Sequence, residues 1–143
     1  FRNKFLIKMK EKKFNLLLIL KKLKKNKSLN GLNTLIEERE KLTNINKTLS
    51  DMMNTSCFPK NELMSSGLIQ QISKYQGEIQ QKIDTSKSRK EYLSAEISQN
   101  LKQLAELKKQ TDTIEDKIDK IKKRKLEIKE IKSEVNILNK PNF

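Results

Sequence analysis

The stretch from Ile69 to Val135, IQQISKYQGEIQQKIDTSKSRKEYLSAEISQNLKQLAELKKQTDTIEDKIDKIKKRKLEIKEIKSEV, decides the fold. Written in heptads it keeps a single register without a stutter. Its a positions are Ile69, Gln76, Ile83, Lys90, Ile97, Leu104, Thr111, Ile118, Lys125 and Lys132. Its d positions are Ile72, Ile79, Ser86, Leu93, Asn100, Leu107, Ile114, Ile121, Ile128 and Val135. Eight of the ten d residues are apolar, and such a seven-residue repeat keeps one seam of a helix turned toward a partner helix. No proline interrupts the stretch, and Gly77 is its only glycine. At ~1.5 Å per residue the helix would be on the order of 100 Å long against ~30 Å for a small domain, so the expectation is a rod.

Upstream, residues 4–25 read as helix, with Phe14, Leu17, Leu20, Leu16 and Leu23 in a stripe broader than a strict coiled-coil seam. Asn30-Gly31, in the weak segment 26–33, reads as a kink or a soft spot in a continuous helix, since an interior glycine costs only ~1 kcal/mol. A break there is the alternative. Heptads return with Leu35, Leu42 and Leu49, with Ile45 and Met52 at the intervening spacing and Glu37 to Lys41 on the solvent faces. The densest cluster of turn residues follows Asn54. Helix two starts at Pro59, whose missing N–H is unbonded in a first turn anyway, or restarts after Ser65-Ser66-Gly67, and runs to Leu138.

The expectation is one all-α domain over 1–143, an elongated antiparallel two-helix coiled-coil hairpin with helix one over 4–54 and its turn within 54–66. Centring the turn near residue 60 sets Met52 near Ile69, Leu49 near Ile72, Leu42 near Ile79 and Leu35 near Ser86. It leaves Ile121, Ile128 and Val135 without a partner in the chain, and an unpartnered apolar stripe calls for another protein.

Composition narrows the function classes. Charged residues make up 35% and aromatics 5%, which suits long helices and is poor in the residues of thick cores. Histidine is absent, which removes the commonest general base and metal ligand. Cys57 is alone, so neither a disulfide within the chain nor a cysteine metal site is expected, and a reducing cytoplasmic setting is the simple reading. No phosphate loop, triad, carboxylate pair or metal spacing is present. An enzyme is therefore not expected, nor a cofactor or a metal. The apolar run Leu16–Leu20 is too short to span a bilayer and is followed by Lys21-Lys22 rather than small residues, so neither membrane insertion nor a signal peptide is expected. The chain opens on Phe1, and Met9 is a candidate start.

The net charge of +14 is unevenly placed: residues 1–27 hold eleven Lys and Arg against Glu11 alone. In a hairpin that cluster comes beside Lys117, Lys120, Lys122, Lys123, Arg124 and Lys125. One reading is docking into an acidic cavity, or onto nucleic acid or membrane. The other is a solvated face, because 28 lysines to 4 arginines, with frequent Asn and Ile, is what AT-rich coding gives. The polar seam residues Gln76, Ser86, Lys90, Asn100, Thr111 and Lys125 read as seam-edge positions with snorkelling lysines, or as register-setting ones. Phe58, Pro59 and Leu63, with Cys57 and Met64, form a hairpin tip that is either a local cap or a contact site. Tyr75 is an interface anchor or an ordinary solvated residue.

Two local sequences carry a resemblance. Asn30-Gly31-Leu32-Asn33 leading into Glu37-Glu38 is similar to a Gly-Leu-Gln step before an acidic run. Pro59-Lys60-Asn61-Glu62-Leu63, followed by Ile69-Gln70-Gln71-Ile72, is similar to the start of a second stalk helix. With the long-helix pattern, these make the chain resemble the type III secretion central stalk family (FliJ/YscO-like), in its virulence-system members; the Lys-rich N-terminus departs from that pattern. The resemblance implies a non-catalytic cytoplasmic stalk at the base of a membrane-embedded secretion machine. The end with both termini would enter the pore of a hexameric secretion ATPase, the rest would reach the membrane export gate protein, and secretion chaperones would be further partners. It places pore docking on Lys120, Ile121, Lys122, Lys123, Arg124 and Ile128, and gate contact on Gln71, Tyr75, Glu78 and Lys82. The rival readings are a generic coiled-coil scaffold or tether within a larger assembly and, less favoured, a basic helical nucleic-acid binder.

Overall fold

A computed structural model describes residues 2–56 and 63–139. Nearly all of them lie in two helices, α1 (Arg2–Thr55) and α2 (Ser66–Leu138), packed antiparallel as an all-α two-helix hairpin. Helix α1 passes through Asn30-Gly31 unbroken. A Cβ on Gly31 would meet nothing within 4 Å, so the site asks only for helix propensity. Helix α2 does not run back to Pro59, because Leu63, Met64 and Ser65 are not helical. Ser65 caps it instead: its Oγ accepts the Leu68 N–H at 3.3 Å and its carbonyl accepts the Ile69 N–H at 3.1 Å. Cys57, Phe58 and Pro59 lie outside the described residues.

The heptad register of α2 is the one its sequence shows. Every described α2 residue that is buried (Ile79, Ile83, Ser86, Leu93, Ile97, Leu107, Thr111, Ile114 and Ile118) is an a or a d residue. From Ile72 to Ile128 each a and d position is at least half-buried. Helix α1 answers with Ile7, Glu11, Phe14, Leu18, Lys21, Lys25, Ser28, Leu32, Leu35, Arg39, Leu42, Asn46, Leu49 and Met53, in alternating steps of four and three that Ser56, just past its end, continues. This corrects the expected face of α1. Ile45 and Met52 are 48% and 38% exposed, and Arg39, Asn46 and Met53 take the seam instead. Leu16, Leu20 and Leu23 also point outward, at 55–60% exposure, while Leu18 turns inward. The choice is made over the whole helix: the line through Leu18 and Leu32 stays continuous with Leu35, Leu42 and Leu49, and the rival line meets Gly31 and Lys24.

The chain forms two compact units: a loop-side unit, Asn30–Lys102, and a terminal unit of Phe1–Leu29 with Gln103–Phe143. In the loop-side unit the Gln76 amide donates to the Ser56 carbonyl at 2.9 Å, which fixes the pairing. Continuing that register puts Leu49 opposite Ile83, Asn46 opposite Ser86, Arg39 opposite Leu93 and Leu35 opposite Ile97. Leu93 is fully buried. Leu49 thus meets α2 about three turns further along than expected near Ile72, and residues 66–75 run past the end of α1. In the terminal unit Glu11 pairs with Lys125, and Ile128 lies beside Asn3, Lys4 and Ile7. Ile121 and Ile128 are half-buried. They therefore have partners in α1, contrary to expectation, and only the last seam residues such as Val135 (46% exposed) remain open. The shift covers apolar seam and joins opposite charges, and both favour it over the register drawn from the turn signal.

Candidate functional site

The two units differ most in charge. The terminal unit holds 22 basic and 9 acidic residues, a net +13; the loop-side unit holds 10 and 9, a net +1. Helix packing neutralises a few of the terminal cations. Lys22 stands 3.6 Å from Glu115, Lys125 bonds Glu11, and the Lys21 ammonium donates to Gln110 Oε1 at 2.9 Å. The Lys117 ammonium lies 5.6 Å from the centre of the Phe14 ring, close enough for a cation–π attraction. The expected pore-docking residues divide in two. Lys120, Lys122, Lys123 and Arg124 are exposed, and none of them joins an ion pair among the described residues. Ile121 and Ile128 instead turn into the seam.

The expected gate-contact residues fall on one flank of α2. Gln71, Tyr75, Glu78 and Lys82 recur in steps of four and three and are all exposed. Glu78 and Lys82 border a groove whose other wall is Leu42, Ile45 and Leu49 of α1. The same flank carries the Arg89 Nη2 to Glu38 Oε1 bond at 2.9 Å. Glu38, by that hydrogen bond first and by its charge second, raises the pKa of Arg89. Stepping one and two heptads from that pair sets Ile45 across from Lys82 and Met52 across from Tyr75. Ile45 and Met52 are thus exposed members of this flank that sequence reasoning placed in the seam. Their i+7 spacing was visible; the side they face was not. At the tip, Leu63 is fully exposed and Met64 half-buried, while Phe58 and Pro59 are outside the described residues.

The polar seam residues do not behave alike. Thr111 is buried and satisfied, its Oγ1 donating to the Leu107 carbonyl at 2.8 Å. Gln76 and Lys125 have the partners given above. Ser86 is buried, and neither its Oγ nor the Oδ1 of Asn46 opposite has a hydrogen-bond partner among the described residues. Ser86 and Thr111 are therefore core residues rather than seam-edge ones. Beyond the seam, the Tyr92 hydroxyl donates to Glu96 Oε1 at 2.6 Å. That bond, and then the Glu96 charge, raise the phenol's pKa. Among the described residues no three His, Cys, Asp or Glu side chains stand close enough to hold a metal, and no helix is long and apolar enough to cross a membrane. No protein-family model, curated protein or solved structure matches the chain.

Proposed function

We propose that this chain is a non-catalytic stalk of a type III secretion apparatus. Its terminal unit docks in the pore of a hexameric secretion ATPase, and its loop-side flank faces the membrane export gate, at the cytoplasmic base of the machine. The observation that carries the reading is the segregation of charge: +13 on the unit with both termini and +1 on the unit with the loop. A positive end on a two-helix hairpin suits an acidic cavity, because the field steers and holds it without a dedicated lock. The docking surface is the exposed set Lys120, Lys122, Lys123 and Arg124. Ile121 and Ile128 support it from the seam and do not insert into the ATPase. Gln71, Tyr75, Glu78 and Lys82, joined by Ile45 and Met52, form the gate-side surface.

The test is co-elution of the chain with the secretion ATPase of its own organism, together with the ATPase rate. The stalk reading expects binding and stimulation, both lost on reversing Lys120, Lys122, Lys123 and Arg124 to Glu. Wild-type binding by the reversed variant would refute it. A second reading, a coiled-coil scaffold within a larger assembly, draws support from the apolar outer face of α1 at Leu16, Ile19, Leu20 and Leu23. A stable oligomer by light scattering, with no ATPase binding, would favour it.

A further inference from the structure

Helix α1 of the terminal unit has two apolar faces, and the hairpin uses one. The seam face runs through Ile7, Phe14 and Leu18. On the opposite side Phe5, Met9, Leu16, Ile19, Leu20 and Leu23 are 54–64% exposed. Their spacing is again helical, with Leu16, Ile19, Leu20 and Leu23 at i, i+3, i+4 and i+7, but the stripe is several positions wide. Exposed lysines line both of its edges: Lys8 on one side, with Lys22, whose ammonium is paired with Glu115, and Lys10 and Lys24 on the other. Lys12 and Lys13 cross it between Met9 and Leu16, on stems long enough to carry their ammonium groups aside.

The occupant of this face must be both apolar and anionic. A second copy of the chain is disfavoured, since it would set one +13 unit against another. A single partner helix would cover a narrow seam and leave much of so broad a stripe in water. An interface with acyl chains in the middle and phosphates at either edge matches both the width and the lysines. We propose that the outer face of α1 in the terminal unit binds the surface of an anionic membrane peripherally, with Leu16, Ile19, Leu20 and Leu23 in the acyl boundary and Lys8, Lys10 and Lys24 on lipid phosphates. The proposal does not depend on the stalk reading, and no ATPase enters its test; a terminal unit held in a pore is not on lipid, so the two readings describe separate states of that unit.

The experiment is flotation of the full chain with vesicles of phosphatidylcholine plus phosphatidylglycerol, and with phosphatidylcholine alone. Wild type is expected to float with the anionic vesicles and to be released by salt. The variant Leu16→Gln/Leu20→Gln/Leu23→Gln keeps the seam, so its helical circular dichroism and its melting should be unchanged. Its partitioning should fall at least tenfold, since each buried methylene adds to binding. Lys10→Gln/Lys24→Gln should lower binding to the anionic vesicles about fivefold per lysine. Three results would overturn the proposal: wild type that stays off anionic vesicles, a triple variant that binds them as wild type does, or a wild-type dimer without lipid that the triple variant dissolves. The second result would mean adsorption by charge alone, and the third a second copy on this face.

Discussion

Replacing both members of the Asn46–Ser86 layer should stabilise the protein, although each replacement removes a polar group. Ser86 is 7% exposed, and Asn46 Oδ1 and Ser86 Oγ are buried without hydrogen-bond partners among the described residues. An orphaned buried polar group costs about 1–3 kcal/mol. Asn46 as a whole is only half-buried, so the lower half of that range applies to it. Asn46→Leu with Ser86→Ala should then gain about 2–5 kcal/mol in all. For a chain of 143 residues that is a rise in melting temperature of roughly 6–20 °C. The assay is thermal denaturation followed by circular dichroism, with sedimentation confirming an unchanged oligomeric state. Asn44→Leu, at an exposed position of the same helix, controls for the few tenths of a kcal/mol that leucine gains over asparagine in propensity. No gain beyond that control, or a loss, would refute the reasoning. The layer also explains why it survives. In the observed register both polar side chains spoil one layer; a one-heptad slip would set Asn46 against Leu93 or Ile79 and Ser86 against Met53 or Arg39 and spoil two, so the pair penalises slippage.

Other consequences are smaller or more local. Leu93→Ala, at the one large side chain that is fully buried among the described residues, should cost about 2–5 kcal/mol, whereas Leu16→Ala on the outer face should stay within about 0.5 kcal/mol in urea denaturation. Glu11→Lys should lower the melting temperature, and adding Lys125→Glu should restore most of it; a double variant no better than the single one would deny the Glu11–Lys125 pair. In a Tyr75→Phe background, the Tyr92 phenol should titrate above its ordinary value of about 10, because Glu96 holds its proton. The sign follows: the raised folded pKa stabilises below the unfolded value, and that contribution fades as pH rises through the folded one. Glu96→Gln should bring the midpoint back down, which spectrophotometric titration reads.

Much of the fold was legible because α2 is unambiguous. Its a and d residues stay apolar enough, from Ile72 to Ile128, for one seam to stand out. Helix α1 was not legible alone. Its true seam includes Glu11, Lys21, Lys25, Arg39 and Asn46, while Leu16, Ile19, Leu20, Leu23, Ile45 and Met52 lie outside it. Local hydrophobicity therefore favours the wrong face, and only pairing against the whole of α2 reverses the choice. The offset between the helices was hidden for a related reason. Turn residues around Pro59 mark where α1 ends, but the Ser65 cap decides where α2 begins, and residues 66–75 run past α1. The basic terminal end was legible from charge counts; that Ile121 and Ile128 face inward depends on the offset, so it was not.

The most direct test of the stalk reading is site-specific photocrosslinking to the secretion ATPase. Crosslinking side chains at Lys122 or Lys123, in the +13 terminal unit, should label the ATPase, and those at Lys74 or Lys87, in the +1 loop-side unit, should not. Labelling from the loop-side positions with none from the terminal ones would contradict the account.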